Sequence, residues 1–133
     1  IKTDSKSWGN YKDSSITLSR GKYNIDPRSS SSVWTLFSTD TINYVTNKKT
    51  NSNTSYEQLL TTGASEDTNK MNIYDFAGNE FEWTLEQYTS DNSNPCTSRG
   101  GFYAINGYLS ASFHDYYRTS YSINISGFRP SLY

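Results

Sequence analysis

The 133-residue sequence holds only one cysteine, one histidine and three prolines. The lone cysteine, Cys96, cannot form an internal disulfide, so the chain is not a disulfide-stapled secreted module. The lone histidine, His114, cannot build a zinc or iron centre that needs several imidazoles. These two shortages exclude disulfide scaffolds and multi-histidine metal centres.

Long apolar runs and an excess of charge of either sign are also missing. No segment approaches the roughly 18 consecutive apolar residues that a membrane-spanning helix needs. The chain has 12 basic and 13 acidic residues and a formal net charge of -1. We therefore expect no membrane insertion and neither nucleic acid nor an anionic membrane as partner.

Aromatic residues, by contrast, are abundant. They make up 16% of the chain, with 12 tyrosines and 3 tryptophans, although only 33% of the residues are hydrophobic. Disordered chains are poor in aromatic residues, so the composition predicts a folded, loop-rich domain with a small core of bulky rings. The length suits one domain spanning residues 1–133. Because it starts at Ile1 rather than Met, we expect a fragment of a longer chain.

The hydrophobic pattern predicts few regular elements. Strands are expected near residues 82–88, 98–103 and 127–132, and a short helical turn is expected over 56–60, ending near Gly63. Residues 104–126 show no sustained helical or strand period. A loop of that length in a compact domain is usually functional or disordered, and its many rings argue against disorder.

A turn rich in carboxylates precedes the first of these predicted strands. Asp75, Glu80 and Glu82 flank Gly78, which could adopt the positive φ that folds oxygens inward. Carboxylate and carbonyl oxygens from such a turn suit a hard cation such as Ca²⁺. The alternative is a plain turn before a strand, with Asp75 bonding its own backbone. The spacing alone leaves both interpretations open.

Two arginine–glycine motifs follow, Arg99-Gly100-Gly101 and Gly127-Phe128-Arg129. They enter strand-like segments rather than opening a helix, so they do not form a phosphate cradle. We expect their glycines to allow close backbone approach and each arginine to find carboxylate or carbonyl partners.

Residues 102–126 form the most distinctive segment, with five tyrosines and five serines among 25 residues. Tyrosine gives a large, rigid, amphipathic contact, and serine, asparagine and glycine add adaptable hydrogen bonds, as in antibody paratopes. The alternative is an aromatic loop that packs on its own domain. The neighbours His114 and Asp115 do not indicate a catalytic triad, because adjacent residues on a strand point to opposite faces and no nucleophile is marked.

Four short motifs together resemble the formylglycine-generating enzyme, or sulfatase-modifying factor, family. Gly78 to Thr84 is similar to the family's GN-x-x-EWT signature, Arg99 to Gly101 to its RGG strand, Gly127 to Arg129 to its GFR strand, and Trp8 to Asn10 to an upstream WGN. The resemblance is concentrated in residues 71–133. It implies an α+β, C-type-lectin-like fold with short antiparallel strands and long loops, of which this sequence would hold the C-terminal part.

The resemblance also bears on the acidic turn, where the family's enzymes bind calcium. The corresponding ligands would be the side chains of Asp75 and Glu82 and the carbonyls of Gly78 and Glu80. The resemblance therefore implies a structural Ca²⁺ ion. This raises the weight of the cation interpretation relative to the plain turn.

The chemistry of these enzymes depends on a pair of cysteines just downstream of RGG. This chain has Phe102 and Tyr103 there and no cysteine after Cys96. Relatives that use iron for sulfoxide synthesis need several histidines. We therefore expect no enzymatic activity, no catalytic residues and no redox cofactor.

A non-enzymatic branch fits better. The C-terminal segment resembles the variable proteins that retroelements diversify in phages and gut bacteria, such as phage tropism determinants. These proteins vary solvent-facing positions just before a fixed GFR strand, and residues 104–125 are rich in the types that mutagenesis of asparagine codons produces. His114 stands where variable relatives often carry an arginine. The resemblance implies a receptor-binding protein of a phage tail or a bacterial cell surface, whose partner is a protein ligand or a cell-surface receptor.

The predicted ligand-binding positions share an expected outward orientation. They are Ala104, Ile105, Asn106, Tyr108, Leu109, Phe113, Asp115, Tyr116, Tyr117, Tyr121, Ile123 and Asn124. We expect Ala111, Ser112 and Gly127 to lie beneath them as small residues. Sugar binding is disfavoured, because the proposed calcium turn lies elsewhere and no Glu-Pro-Asn sugar motif is present. The alternatives are a formylglycine-type oxidase and a structural tail or surface module with loops 104–126 packed on another subunit.

Overall fold

The structure is a computed structural model that describes residues 4–14, 16–25, 27–38, 48–49 and 57–129. Regular structure in these ranges is mostly β. The strands are β1 (Ile16–Thr17), β2 (Lys22–Ile25), β3 (Trp34–Leu36), β4 (Lys48–Lys49), β5 (Gln58–Leu60), β6 (Phe81–Gln87), β7 (Cys96–Arg99), β8 (His114–Tyr117) and β9 (Ser126–Gly127). The one helical element among these residues is a 3₁₀ turn at Glu66–Thr68. The strand-rich part of the predicted fold class is thus confirmed, whereas an α-helical part is not seen in the described ranges.

The strands form three small sheets. β1 pairs with β4, and the second sheet has the order β3-β2-β5, all antiparallel. The third sheet has the order β8-β7-β6-β9, with β9 parallel to β6 and the other pairs antiparallel. A register shift between Trp83 and Gln87 places a bulge in β6. Bulges bend a strand and increase its twist, and the part of β6 from Leu85 to Gln87 is exposed.

Two apolar clusters form the core of the described residues. The first joins β1, β2 and β5 through Ile16, Leu18, Tyr23, Leu60 and Ala64. The second is built on a fully buried tyrosine, Tyr11, with Ala77 and Ala111, and the half-buried Trp8 and Ile105 pack against it. The Tyr11 hydroxyl donates to the Gly100 carbonyl at 2.9 Å. The hydroxyl of this buried ring therefore has a hydrogen-bond partner.

The sequence-based elements differ from the structure in several places. β6 and β7 confirm strands predicted near residues 82–88 and 98–103, but β7 ends at Arg99 because Gly100 and Gly101 take positive φ. β9 ends at Gly127, and residues 130–132 of the third predicted strand lie outside the described residues.

Two other assignments from the sequence need correction. The helical turn over 56–60 is wrong, because the strand β5 occupies 58–60. The segment 104–126 is not loop throughout, because it contains β8. β5 and β8 are short apolar or aromatic runs whose period is ambiguous without the strands they pair with.

Candidate functional sites

Three of the four sequence motifs meet at one backbone junction. The Asn79 N–H donates to the Asn10 carbonyl at 2.8 Å, and the Gly78 N–H donates to the Gly100 carbonyl at 2.7 Å. The Asn10 amide also donates to the Asn79 side chain at 2.8 Å. Gly78 has φ +71°, as the sequence predicts, and a Cβ there would lie 2.5 Å from the Asn10 carbonyl oxygen. The junction fixes the backbone from which the acidic turn projects.

The acidic turn lines a small surface cavity. Its walls include the side chains of Asp75, Glu80, Glu82 and Arg129. Asp75 is buried, and one carboxylate oxygen accepts from the Gly63 N–H at 2.8 Å. The plain-turn interpretation had Asp75 bonding its own backbone, whereas the partner belongs to the preceding loop. The other oxygen, Oδ1, is buried with no hydrogen-bond partner.

Arg129 closes this cavity from the C-terminal side. Its guanidinium donates to the Glu82 carboxylate at 2.8 Å and to the carbonyls of Tyr74 and Asp75 at 2.9 and 3.2 Å. This confirms the expectation that the arginine of the last motif is held by carboxylate and carbonyl oxygens. The arrangement ties the segment after β9 to the acidic turn.

The charges of the cavity do not balance. Three carboxylates, Asp75, Glu80 and Glu82, face one guanidinium, which leaves two formal negative charges. Burial raises the pKa of Asp75, an effect that the Gly63 N–H, the Thr68 hydroxyl and Arg129 oppose only in part. Burial also raises the pKa of Glu80. Both shifts show that the cavity stabilises the carboxylate charge poorly by itself.

These residues fit a hard cation in part. The unpartnered Asp75 Oδ1 and the two uncompensated charges suit Ca²⁺, which binds carboxylate and carbonyl oxygens. Within the described residues, however, no group of three or more His, Cys, Asp or Glu side chains is placed to hold a metal. A cation here would therefore rely on Asp75, a second carboxylate and backbone carbonyls. Glu82 shares its Oε1 with Arg129, which weakens it as a ligand.

The second candidate site lies on the sheet β6-β7-β8, where β8 carries aromatic side chains on both faces. On one face Tyr117 packs edge-on against Trp83, with ring centroids 5.4 Å apart, and stacks on Tyr121 at 4.9 Å. The Tyr117 hydroxyl donates to Asp115 at 3.0 Å, and burial together with this acidic neighbour raises its pKa. Leu85 is fully exposed beside Trp83. We call Trp83, Leu85, Tyr117 and Tyr121 the Tyr117 face.

The opposite face of the same sheet has a different composition. Tyr116 stacks on Tyr88 with centroids 3.6 Å apart and lies 5.2 Å from the His114 ring. Beside them, Arg99 donates to both carboxylate oxygens of Glu86, with the Nη2 contact at 2.8 Å. We call Glu86, Tyr88, Arg99, His114 and Tyr116 the Tyr116 face. His114 and Asp115 therefore point to opposite sides of β8, as the sequence predicts, and do not form a catalytic pair.

The other predicted ligand-binding positions are dispersed. Asn106, Tyr108 and Asn124 are exposed, whereas Ala104, Leu109 and Ile123 are half-buried. Ile105 packs on the Tyr11 cluster, and Phe113 lies 6.2 Å from the buried Phe81 ring. Of the small residues expected beneath the surface, Ala111 is buried, and Ser112 and Gly127 are half-buried.

The sequence-based set missed the residues that β6 and β7 contribute to these faces. Trp83, Glu86 and Tyr88 lie far along the chain from β8 and reach it only through strand pairing. The exposed alternation of Trp83 and Leu85 was the available signal, since it marks a strand with an uncovered face.

Comparison with family models, curated proteins and solved structures finds no match to this chain. In the described residues, no helix is long and apolar enough to cross a membrane.

Proposed function

We propose that the domain is a non-enzymatic recognition module that binds a protein receptor through the Tyr117 face. The main support for this proposal is the row of rings Trp83, Tyr117 and Tyr121. Each ring packs against the next, and Tyr121 remains half exposed. Preordered aromatic anchors lose little entropy on binding and tend to dominate interface energies.

The resemblance of the sequence to retroelement-diversified variable proteins supports the same function. Two of the three rings, Tyr117 and Tyr121, come from the segment that resembles the varied part of those proteins. On this proposal the domain belongs to a phage tail or a bacterial cell surface and carries the C-type-lectin-like fold of that branch. Trp83 lies outside the segment and would act as a fixed support for varied neighbours.

Binding to intact bacterial cells tests the proposal. We expect saturable binding of the labelled domain that unlabelled domain competes away. Treating the cells with protease should remove the binding, because the proposed receptor is a protein. Binding that survives protease, or fails to saturate on any candidate host, would contradict the proposal.

We further propose that the acidic cavity holds a structural Ca²⁺ ion with Asp75 as its main ligand. Calcium should raise the melting temperature and a chelator should lower it, because a ligand that binds only the folded state stabilises it, and the stabilisation grows with the logarithm of the free ligand concentration relative to its Kd. Asp75→Asn is the matched variant: it keeps the side-chain shape, and asparagine tolerates the positive φ of this position. We expect its melting temperature to be independent of calcium. If chelation leaves the melting temperature of the unsubstituted protein unchanged, the calcium proposal is wrong.

The same variant tests the raised pKa of Asp75. A carboxyl whose pKa is higher in the folded state costs stability as pH rises above its unfolded pKa and through its folded pKa. In chelator, stability should therefore fall less over that pH range in Asp75→Asn than in the unsubstituted protein. Stability is measured at each pH by urea unfolding. Identical pH profiles for the two proteins would show that the pKa of Asp75 is not raised in the folded state.

The competing enzymatic function makes a separate prediction. A formylglycine-type oxidase would convert the cysteine of a sulfatase-motif peptide in the presence of copper and oxygen. We expect no conversion by mass spectrometry, because the chain has no cysteine after Cys96 with which to form a thiol pair. Conversion above that of a heat-denatured sample would overturn the non-enzymatic proposal.

A further inference from the structure

The Tyr116 face borders a shallow surface cavity on the side of β8 opposite to the Tyr117 face. Tyr88 and Tyr116 stack nearly parallel, with 17° between the ring planes. Glu86, Arg99 and His114 complete much of the rim. The cavity thus combines flat aromatic surface with polar side chains.

The ionic groups of this cavity neutralise each other. Arg99 uses Nε and Nη2 for the two Glu86 oxygens, and Nη1 donates to the Ser112 carbonyl at 3.1 Å. The hydrogen bonds between the pair lower the pKa of Glu86 and raise that of Arg99, so both stay ionised near neutral pH. An anionic ligand would have to displace Glu86, and a cationic ligand would have to displace Arg99. The cavity therefore favours a ligand without net charge.

A neutral ligand for this cavity needs both an apolar face and hydroxyl groups. A wholly apolar group would strip water from the Glu86–Arg99 ion pair without replacing its hydrogen bonds, which costs free energy. The Glu86 carboxylate oxygens can each accept more than one hydrogen bond, and the His114 ring is a further polar group at the rim. A pyranose ring presents a flat C–H face to a tyrosine and hydroxyls at its edge.

We infer that the Tyr116 face is a binding subsite for a neutral pyranose. This recognition uses no metal, so it does not conflict with the absence of a calcium-type sugar motif in the sequence. The subsite is separate from the receptor surface proposed above, because Tyr116 and Tyr117 are neighbours on β8 and point to opposite faces of the sheet.

Saturation-transfer NMR with neutral methyl pyranosides at millimolar concentration tests the inference. Transfer to the ring protons of at least one sugar is expected. Tyr88→Ala should weaken the affinity for that sugar about tenfold, the loss expected for one aromatic contact of roughly 1.4 kcal/mol. Tyr116→Phe keeps the stacked ring and should retain the transfer. Trp34→Ala, which removes a half-exposed ring from another sheet, is the control and should change nothing.

Charged sugars separate this inference from an anion site. Methyl glucuronide should bind the unsubstituted protein no better than neutral methyl glucoside. Glu86→Gln leaves the Arg99 charge uncompensated. In this variant the affinity for the glucuronide should rise relative to that for the glucoside. The inference would be overturned if no neutral pyranoside shows transfer, or if the unsubstituted protein prefers the glucuronide. It would also be overturned if transfer is seen only to p-cresol, an aromatic compound that is not a sugar. None of these outcomes depends on binding to cells, so the receptor proposal stands or falls separately.

Discussion

Replacing Tyr121 by alanine should weaken binding to the proposed cell-surface receptor by on the order of 2 kcal/mol, or about thirtyfold in Kd, while leaving melting near native. The ring is 49% exposed and stacks on its neighbour Tyr117, which is itself half-buried, so its loss opens no cavity in the core. An anchor of this kind contributes mainly when a partner covers it. Titration of labelled domain onto cells, with melting measured in parallel, gives both quantities.

Tyr117 requires two variants, because its ring is half-buried between Trp83 and Tyr121. Tyr117→Ala should reduce binding by a similar amount and also lower stability, since it removes the support of both neighbours. Tyr117→Phe removes only the hydrogen bond to Asp115 and should keep binding close to that of the unsubstituted protein. The effects of Tyr117 and Tyr121 should not add, because the two rings are in contact.

Trp34→Ala again serves as the matched control, as an exposed aromatic on β3 far in the chain from β8. Its binding should be unchanged. Unchanged binding in Tyr121→Ala would remove the Tyr117 face from the receptor interface. Unfolding of that variant would instead show that the ring belongs to the core.

Local chemistry was readable from the sequence. The positive φ of Gly78 and the carbonyl and carboxylate partners of Arg129 follow from the properties of single residues, and the structure confirms both. β6 was predictable because Trp83 and Leu85 alternate with polar neighbours. These features depend on a few adjacent positions, which a single sequence contains in full.

Features that depend on the pairing of strands could not be predicted from the sequence. β8 reads His-Asp-Tyr-Tyr, and because both faces carry rings or polar groups it lacks the apolar–polar alternation that marks a half-buried strand. The sequence therefore placed Tyr116 and Tyr117 on one surface, and only the pairing of β8 with β7 separates them. The same pairing brings Arg99 beside His114 and sets the composition of the Tyr116 face.

The second large effect is expected at Gly78, where alanine should lower the free energy of unfolding by at least about 3 kcal/mol. Two costs combine there. The position has φ +71°, which alanine adopts only with strain, and the added Cβ would lie 2.5–2.8 Å from three backbone atoms of Asn10. Backbone atoms cannot rotate away as a side chain does, so the junction between the motifs must move.

Gly100→Ala separates these two costs. Gly100 also has positive φ, at +93°, but a Cβ there would meet only the Phe76 carbonyl oxygen, at an ordinary 3.6 Å. We expect it to cost about 1 kcal/mol, the conformational part alone. Urea unfolding with a common m-value gives the difference. Equal losses at the two glycines would show that the contact of Gly78 with Asn10 is not tight. A larger loss at Gly78, with the calcium response also gone, would show that this contact sets the position of Asp75.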